Sequence, residues 1–212
     1  MKTTILWDHD GVLVETEPWY YEATRLKLHD LGIPLPKAEY LQDMANGRSA
    51  WERAAAVGHS PEEIAQHKER RNRLYQDFLL SRDIEICGVE SVLGQLNDHY
   101  RMAIVTTAKR EDFNLIHRAR SITKHMAFVL ASGDYPRAKP HPDPYLAALE
   151  RFGVSRHEAV VVEDSERGLR AAVAAGIDCV VVKNQFVKGQ DLSAATHHID
   201  SLALLPGLLA EM

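Results

Sequence analysis

Four short clusters in this sequence carry groups that could do chemistry together. The first is Asp8-His9-Asp10-Gly11, with two carboxylates separated by one residue. The others are Thr106-Thr107, Lys139 and Glu163-Asp164. Four carboxylates cannot crowd into one crevice on the strength of a single ammonium, because neighbouring like charges disfavour ionisation. A divalent cation with hard oxygen ligands resolves that conflict. Mg²⁺ suits a site of a few carboxylates, waters and a phosphate oxygen. Lys139 and the Thr106 hydroxyl are donors fit for an anionic phosphoryl group. A carboxylate screened by a metal and a lysine can act as a covalent nucleophile. A second carboxylate two residues on can serve as general acid and base. The set predicts metal-assisted phosphoryl transfer through an aspartyl-phosphate.

That prediction holds only if the elements bring the clusters together. Short apolar runs recur at Thr4–Trp7, Met102–Val105, Phe128–Leu130, Ala159–Val162 and Cys179–Val182, and none alternates apolar with polar. Continuous apolar runs are what strands buried on both faces require, so a mainly parallel sheet is expected. Helical patterns lie between the runs. One covers Asp112 to Arg120. Another has Asp143 as N-cap, Pro144 at its first position and its end at Gly153. A third is capped by Ser165 and stops at Gly176. Alternating strand and helix is the βαβ signature of an α/β fold, Rossmann-like, with helices on both faces. Ligands in such sheets bind beyond the carboxyl ends of the strands. Asp8, Thr106 and Glu163 each follow an apolar run directly, and Lys139 follows one past a short loop.

Residues 17–82 break the alternation. Pro18 opens a helix pattern ending at Gly32, Pro34 and Pro36 separate two patterns, and Ser60-Pro61-Glu62-Glu63 opens a long helix to about Leu80. The expected division is a core of residues 1–16 and 83–212 with an inserted helical cap of residues 17–82. The hinges would fall near Val14–Thr16 and Arg82–Cys87. The chain has 212 residues, 45% of them apolar and 26% charged, which is ordinary for a globular domain. Its net charge of −5 disfavours a general nucleic-acid binder. Cys87 and Cys179 form no disulfide framework or metal spacing, and both are expected as small buried apolar residues. The apolar N-terminal stretch is too short for a signal-peptide core, and no run is long enough for a membrane helix. The expectation is a cytoplasmic protein, a monomer or weak dimer, acting on a small-molecule phosphate ester. Dinucleotide, P-loop, zincin and serine-hydrolase motifs are absent from the sequence.

Asp8-His9-Asp10-Gly11-Val12-Leu13-Val14-Glu15-Thr16-Glu17 resembles the first motif of the haloacid dehalogenase superfamily. Val105-Thr106-Thr107 resembles its second, and Lys139-Pro140-His141-Pro142-Asp143-Pro144-Tyr145 its third. Val161-Val162-Glu163-Asp164-Ser165-Glu166-Arg167-Gly168 resembles its fourth, all in family order. The helical insertion is similar to the cap of the branch that holds β-phosphoglucomutase and phosphoglycolate phosphatase. The resemblance implies roles. Asp8 would be the nucleophile. Asp10 would protonate the leaving oxygen and then activate water. Mg²⁺ would be held by Asp8, the backbone carbonyl of Asp10 and Asp164, with Glu163 acting directly or through water. Thr106 and Lys139 would hold phosphoryl oxygens, with Thr107 beside them, and Lys139 would offset the charge on Asp8. Because Asp10 is present, dehalogenation and phosphonate hydrolysis are disfavoured. His9 stands where the family usually has a bulky apolar residue, and its side chain is expected to point into the helix layer.

Other residues admit a sharp and a plain reading. Arg48, in Gly47-Arg48-Ser49, could pair with a second anionic group on the substrate or be a solvated turn residue. Lys68-Glu69-Arg70-Arg71-Asn72-Arg73 is expected as a solvated helix face. Two adjacent side chains point to opposite sides of a strand. His197-His198, followed by Asp200, therefore reads as a strand before the final helix, not a metal site. Trp19, Tyr20 and Tyr21 are expected in the cap core, with Trp19 or Tyr20 able to line the entrance. The leading expectation is a Mg²⁺-dependent phosphatase for a sugar phosphate or phosphoglycolate-like acid. A sugar phosphomutase would share every motif and differ in shielding the intermediate from water. A phospho-receiver would carry its acceptor Asp after a middle strand and lack the insertion, which does not fit.

Overall fold

The computed structural model describes residues 1–212. In chain order it has β1 (Thr4–Trp7), α1 (Glu17–His29), α2 (Lys37–Ala45), α3 (Glu52–Ala56) and α4 (Pro61–Ser81). Next come α5 (Val89–Leu96), β2 (Arg101–Val105), α6 (Arg110–His117), β3 (Phe128–Leu130) and α7 (Asp143–Phe152). The chain ends with β4 (Ala159–Glu163), α8 (Glu166–Ala175), β5 (Asp178–Val182), β6 (His197–Ile199) and α9 (Leu205–Ala210). The six strands form one sheet in the order β3-β2-β1-β4-β5-β6, and every pairing is parallel. This is the Rossmann-like α/β arrangement with helices on both faces. No helix is long and apolar enough to cross a membrane.

The alternation of side chains along each strand divides the core in two. Ile5, Trp7, Met102, Ile104, Val160 and Val162 face one layer, packed with Leu93 of α5, Phe113 and Ile116 of α6 and Leu205 of α9. Leu6, Ala103, Val105, Val161 and Val181 face the other, against Tyr145 and Ala148 of α7 and Leu169 and Ala172 of α8. Both faces are buried, which is why these strands read as unbroken apolar runs. Register then places the chemistry. Trp7 pairs with Ile104 on one side and Val162 on the other. The residues just beyond those strands therefore emerge at one edge.

Helices α1 to α4 lie between β1 and the rest of the sheet. They have an apolar cluster of their own, built from Leu28, Ile33, Leu35, Met44, Trp51 and Ile64 and closed by Val187 from beyond β5. Ala23, Tyr75 and Leu79 of α1 and α4 belong instead to the larger core of the sheet, so the helical segment is anchored at its base. Ser60 caps α4 by accepting from the Glu63 N–H. Glu63 itself pairs with His59 and does not reach back to the cap. Ser165 caps α8 by accepting from the Gly168 N–H.

Several local expectations are corrected. Pro142, not Asp143, occupies the N-cap of α7, because the Asp143 carboxylate is taken by Arg137 at 2.8 and 2.9 Å. α6 spans Arg110–His117, two residues earlier at its start than its apolar pattern indicates. Cys179 is buried, but Cys87 is exposed in the link before α5. Arg71 is not solvated. It is buried, donates to the Thr24 hydroxyl at 3.0 Å and lies 4.2 Å over the Tyr20 ring. The His197-His198 pair lies on β6 ahead of α9, and Asp200 pairs with Lys183.

Candidate active site

Asp8 follows β1 and is buried beside Lys139 and Glu163. Lys139 reaches it from the loop after β3. The Lys139 ammonium is 2% exposed and donates to Asp8 Oδ1 at 2.6 Å, Glu163 Oε1 at 2.7 Å and the Val105 carbonyl at 2.9 Å. All three of its protons are used. Burial works against its charge, but Asp8 and Glu163 raise its pKa above the ordinary lysine value. It neutralises one carboxylate of the group, not all of them. Burial and the charge of Glu163 push Asp8 up to about 7, against the opposing pull of Lys139. Burial, with Glu163 and Asp8 next, also raises Asp164 well above the carboxylate range.

Glu163 ends β4 and is fully enclosed. Its Oε1 also accepts from the Tyr145 hydroxyl at 2.8 Å. Its Oε2 accepts from the Asp164 N–H, the Ser165 N–H and the Ser165 hydroxyl, at 3.1, 3.3 and 3.0 Å. Gly168 leaves the space: a Cβ there would lie 1.7 Å from Glu163 Oε1. Both oxygens of Glu163 are thus spent within the protein. Asp164 turns the other way. Its Oδ2 accepts from Asn184 at 2.8 Å, and Asn184 also donates to the Gly11 carbonyl at 3.3 Å. A Cβ on Gly11 would lie 2.0 Å from Asp164 Oδ2, and Gly11 has a φ of 85°, so that turn requires glycine twice over.

Carboxylate oxygens of Asp8, Glu163 and Asp164 lie within 4.8 Å of one another. Asp8 Oδ2 and Asp164 Oδ1 have no donor in the protein, and the backbone carbonyl of Asp10 accepts no hydrogen bond. Three hard oxygens without a donor, in a group of carboxylates that one ammonium does not neutralise, fit a divalent cation of the Mg²⁺ type. The donor set favours Asp8, Asp164 and the Asp10 carbonyl over Glu163. The backbone N–H groups of His9, Asp10 and Thr107 likewise have no acceptor in the chain. Backbone N–H groups left free beside a carboxylate cluster are donors that an anion can use.

Asp10 sits at the mouth of a cavity of about 190 Å³ between the sheet edge and the helical segment. Its Oδ1 accepts from the Thr16 hydroxyl, and its Oδ2 from the Thr106 hydroxyl at 3.2 Å. Burial alone would raise its pKa, but His9, Thr16 and Arg167 hold it below the ordinary carboxylate value. Thr106 is buried, accepts from the Ala108 N–H at 3.0 Å, and has its own carbonyl held by Tyr135 at 2.7 Å. Thr107 lines the cavity with Glu17, Tyr20, Tyr40 and Arg167. Tyr20 meets Tyr75 edge-on at 5.1 Å, while Trp19 packs on Phe78 away from the cavity. Arg48 is not brought to this group. Its side chain is 54% exposed, lies 3.5 Å from Asp43, and is outside the cavity lining. Its neighbour Gly47 does press on Pro140, beside Lys139.

Sequence reasoning missed Asn184, Tyr145, Arg167 and Glu17. Asn184 was findable: it follows the fifth apolar run by two residues, under the same rule that located the others. Tyr145 and Arg167 lie inside quoted motifs but carry no signal of direction. Glu17 opens α1, and only the packing of α1 over the sheet edge brings it to Asp10.

Comparison with known proteins identifies the family. A phosphoglycolate phosphatase of Nitrosococcus oceani is 29% identical, over 98% of this chain and 96% of that protein. Protein CbbY of Cereibacter sphaeroides is 28% identical, over 98% and 96%. The crystal structure of CbbY from Rhodobacter sphaeroides in complex with phosphate superposes with a TM-score of 0.81 at 26% identity, covering 97% of this chain and 96% of that one. The family model described as haloacid dehalogenase-like hydrolase matches residues 5–182, from the start of β1 to the end of β5. This chain therefore belongs to the haloacid dehalogenase-like hydrolases.

Proposed function

We propose that this protein is a Mg²⁺-dependent phosphatase that hydrolyses a small organic phosphate monoester through an aspartyl-phosphate on Asp8. The substrate class is a sugar phosphate or a phosphoglycolate-like acid, in keeping with the activities named for its relatives. One observation carries the reading. Asp8 has one oxygen held by Lys139 and the other free, beside the unpartnered N–H groups of His9, Asp10 and Thr107. That is a positioned nucleophile beside donors that an anion can use.

A carboxylate oxygen of Asp8 attacks phosphorus as the ester oxygen leaves, and Asp10, entering this step protonated, supplies the proton that oxygen needs. Water then attacks the phosphoryl group, the bond to Asp8 breaks, and Asp10 takes the proton from water. Lys139, already saturated, acts through its charge on Asp8 and does not need to grip the phosphate. Thr106 and Thr107 offer hydroxyls to phosphoryl oxygens. Asp8, Asp164 and the Asp10 carbonyl would hold Mg²⁺, which supplies charge neutralisation at the phosphoryl oxygens when bound. Glu163 keeps Lys139 and the start of α8 in place. Residues 17–82 act as a cap over a core of residues 1–16 and 83–212, and exclude water during the first step.

The test is phosphate release from hexose and pentose phosphates, phosphoglycolate and an aryl phosphate, with Mg²⁺ and with chelator. Asp8→Asn is expected to lower turnover at least about 10³-fold, on the scale of removing a covalent nucleophile. Undiminished release by Asp8→Asn would overturn the mechanism.

A further inference from the structure

The residue between the two aspartates is a histidine whose ring is fully buried. It lies against Phe113 and His117 of α6, with centroid distances of 5.0 and 5.1 Å. His9 Nε2 and His117 Nε2 are 2.9 Å apart. On the other side of the ring, His9 Nδ1 lies 3.3 Å from Asp10 Oδ2, off the line of a good hydrogen bond, and has no other partner.

A close contact between two imidazole nitrogens needs one proton between them, so the two rings must be in complementary states. Burial, with His9 next, pushes His117 down to about 3, which keeps that ring neutral. Either the His117 Nε2–H donates to His9, or His9 donates to His117. In the first case a neutral His9 carries its proton on Nδ1, facing Asp10. In the second, a neutral His9 would set a bare Nδ1 lone pair against a carboxylate in a dry site, which is repulsive. The arrangements that avoid this all have His9 Nδ1–H directed at Asp10 Oδ2, with the proton between the two Nε2 atoms carried by either ring.

We propose that His9, oriented by His117, is a positioning residue that steadies the Asp10 carboxylate for its proton transfers. The inference rests on the phosphatase reading for its kinetic part only. Asp10 Oδ2 otherwise depends on the Thr106 hydroxyl, which turns toward the phosphoryl group once substrate is bound. His9 is the donor that stays. Outside this pair, the Asp10 carboxylate is held only by Thr16, at the start of α1.

Two measurements test it. Nitrogen-15 NMR of the intact protein is expected to find His9 protonated at Nδ1. A bare Nδ1 on His9 would overturn the proposal whether or not the enzyme is a phosphatase. In kinetics with the best ester of the panel, His9→Phe is expected to lower kcat about tenfold with KM unchanged. His9→Asn, whose amide can place a donor near the Nδ1 position, is expected to recover most of that loss. His117→Phe should fall between, and the double variant should be no worse than His9→Phe alone. Equal loss in His9→Phe and His9→Asn, or a change confined to KM, would reduce His9 to packing. Absence of turnover by the wild type on every ester would defeat the phosphatase reading and leave the NMR result standing.

Discussion

The two walls of the site are built on different principles. The sheet wall carries Asp8, Glu163 and Asp164 at strand ends and Lys139 from the loop after β3, none of them in the cavity lining, locked by short mutual contacts to each other and to Tyr145, Ser165 and Asn184. The helical wall carries Glu17, Tyr20, Tyr40 and Asn72, and Arg167 of α8 lines the same cavity. It is looser in charge pairing. Arg167 has no ion pair or hydrogen bond to any protein group, although Glu17 and Asp8, opposing burial, keep it charged. The first wall has the rigidity that preorganised chemistry needs. In the second, Tyr40 donates to Glu17 and Asn72 accepts from Arg71, and the Arg167 guanidinium is left without a partner.

The contrast can be broken by experiment. Lys139→Met removes the ammonium that Asp8 and Glu163 share and leaves both buried without it. Removing one partner of a buried pair costs about 3–5 kcal/mol. At about 2–4 °C per kcal/mol for a chain of this size, Tm should fall by roughly 6–20 °C, alongside loss of activity. A stable Lys139→Met protein would mean that the wall is not held by charge. Added Mg²⁺ tests the same wall from the other direction. At about 100 times its Kd, it should stabilise the wild type by ~2.7 kcal/mol in thermal denaturation. Asp164→Asn should lose most of that gain, and an equal gain in the variant would place the ion elsewhere.

Arg167→Ala probes the helical wall. A charge-assisted hydrogen bond contributes about 1.5–3 kcal/mol. KM is therefore expected to rise roughly 10–100-fold, with a smaller change in kcat and in Tm. A fall in kcat with KM intact would move Arg167 to the chemical wall. The smallest effect is expected at Arg48, which lies on Asp43 outside the cavity. Arg48→Ala should change kcat/KM by no more than about twofold on any ester of the panel. A larger, substrate-dependent loss would bring its loop into the binding surface.

The same division governs what could be read in advance. Strand-end positions are legible because a buried parallel strand must be apolar throughout, so the first polar residue after it is conspicuous. Asp8, Thr106 and Glu163 were located in this way, and Asn184 was within reach of the rule. The helical wall has no such marker. α1 and α4 are amphipathic helices with many polar positions, and their sequence does not say which of them overlooks the sheet edge. The same limit applied to Arg71, read as solvated and found buried over Tyr20. Of the two readings of Arg48, its exposed side chain on Asp43, outside the cavity lining, is in keeping with the solvated turn residue.

What the sequence determined by itself is the α/β sheet, the insertion of helices after β1 and the identity of the charged groups at the strand ends. These follow from apolar periodicity and from the residues that interrupt it, both local properties of the chain. What only the tertiary structure decided is how those charges are shared. Sequence could not tell that Glu163 spends both oxygens on Lys139, Tyr145 and the first turn of α8, or that Asp164 leaves one oxygen free. Nor could it pair His9 with His117, 108 residues away in the chain. Contacts of that kind depend on side-chain direction and on distances between separately folded elements, and neither is written in the spacing of residue types.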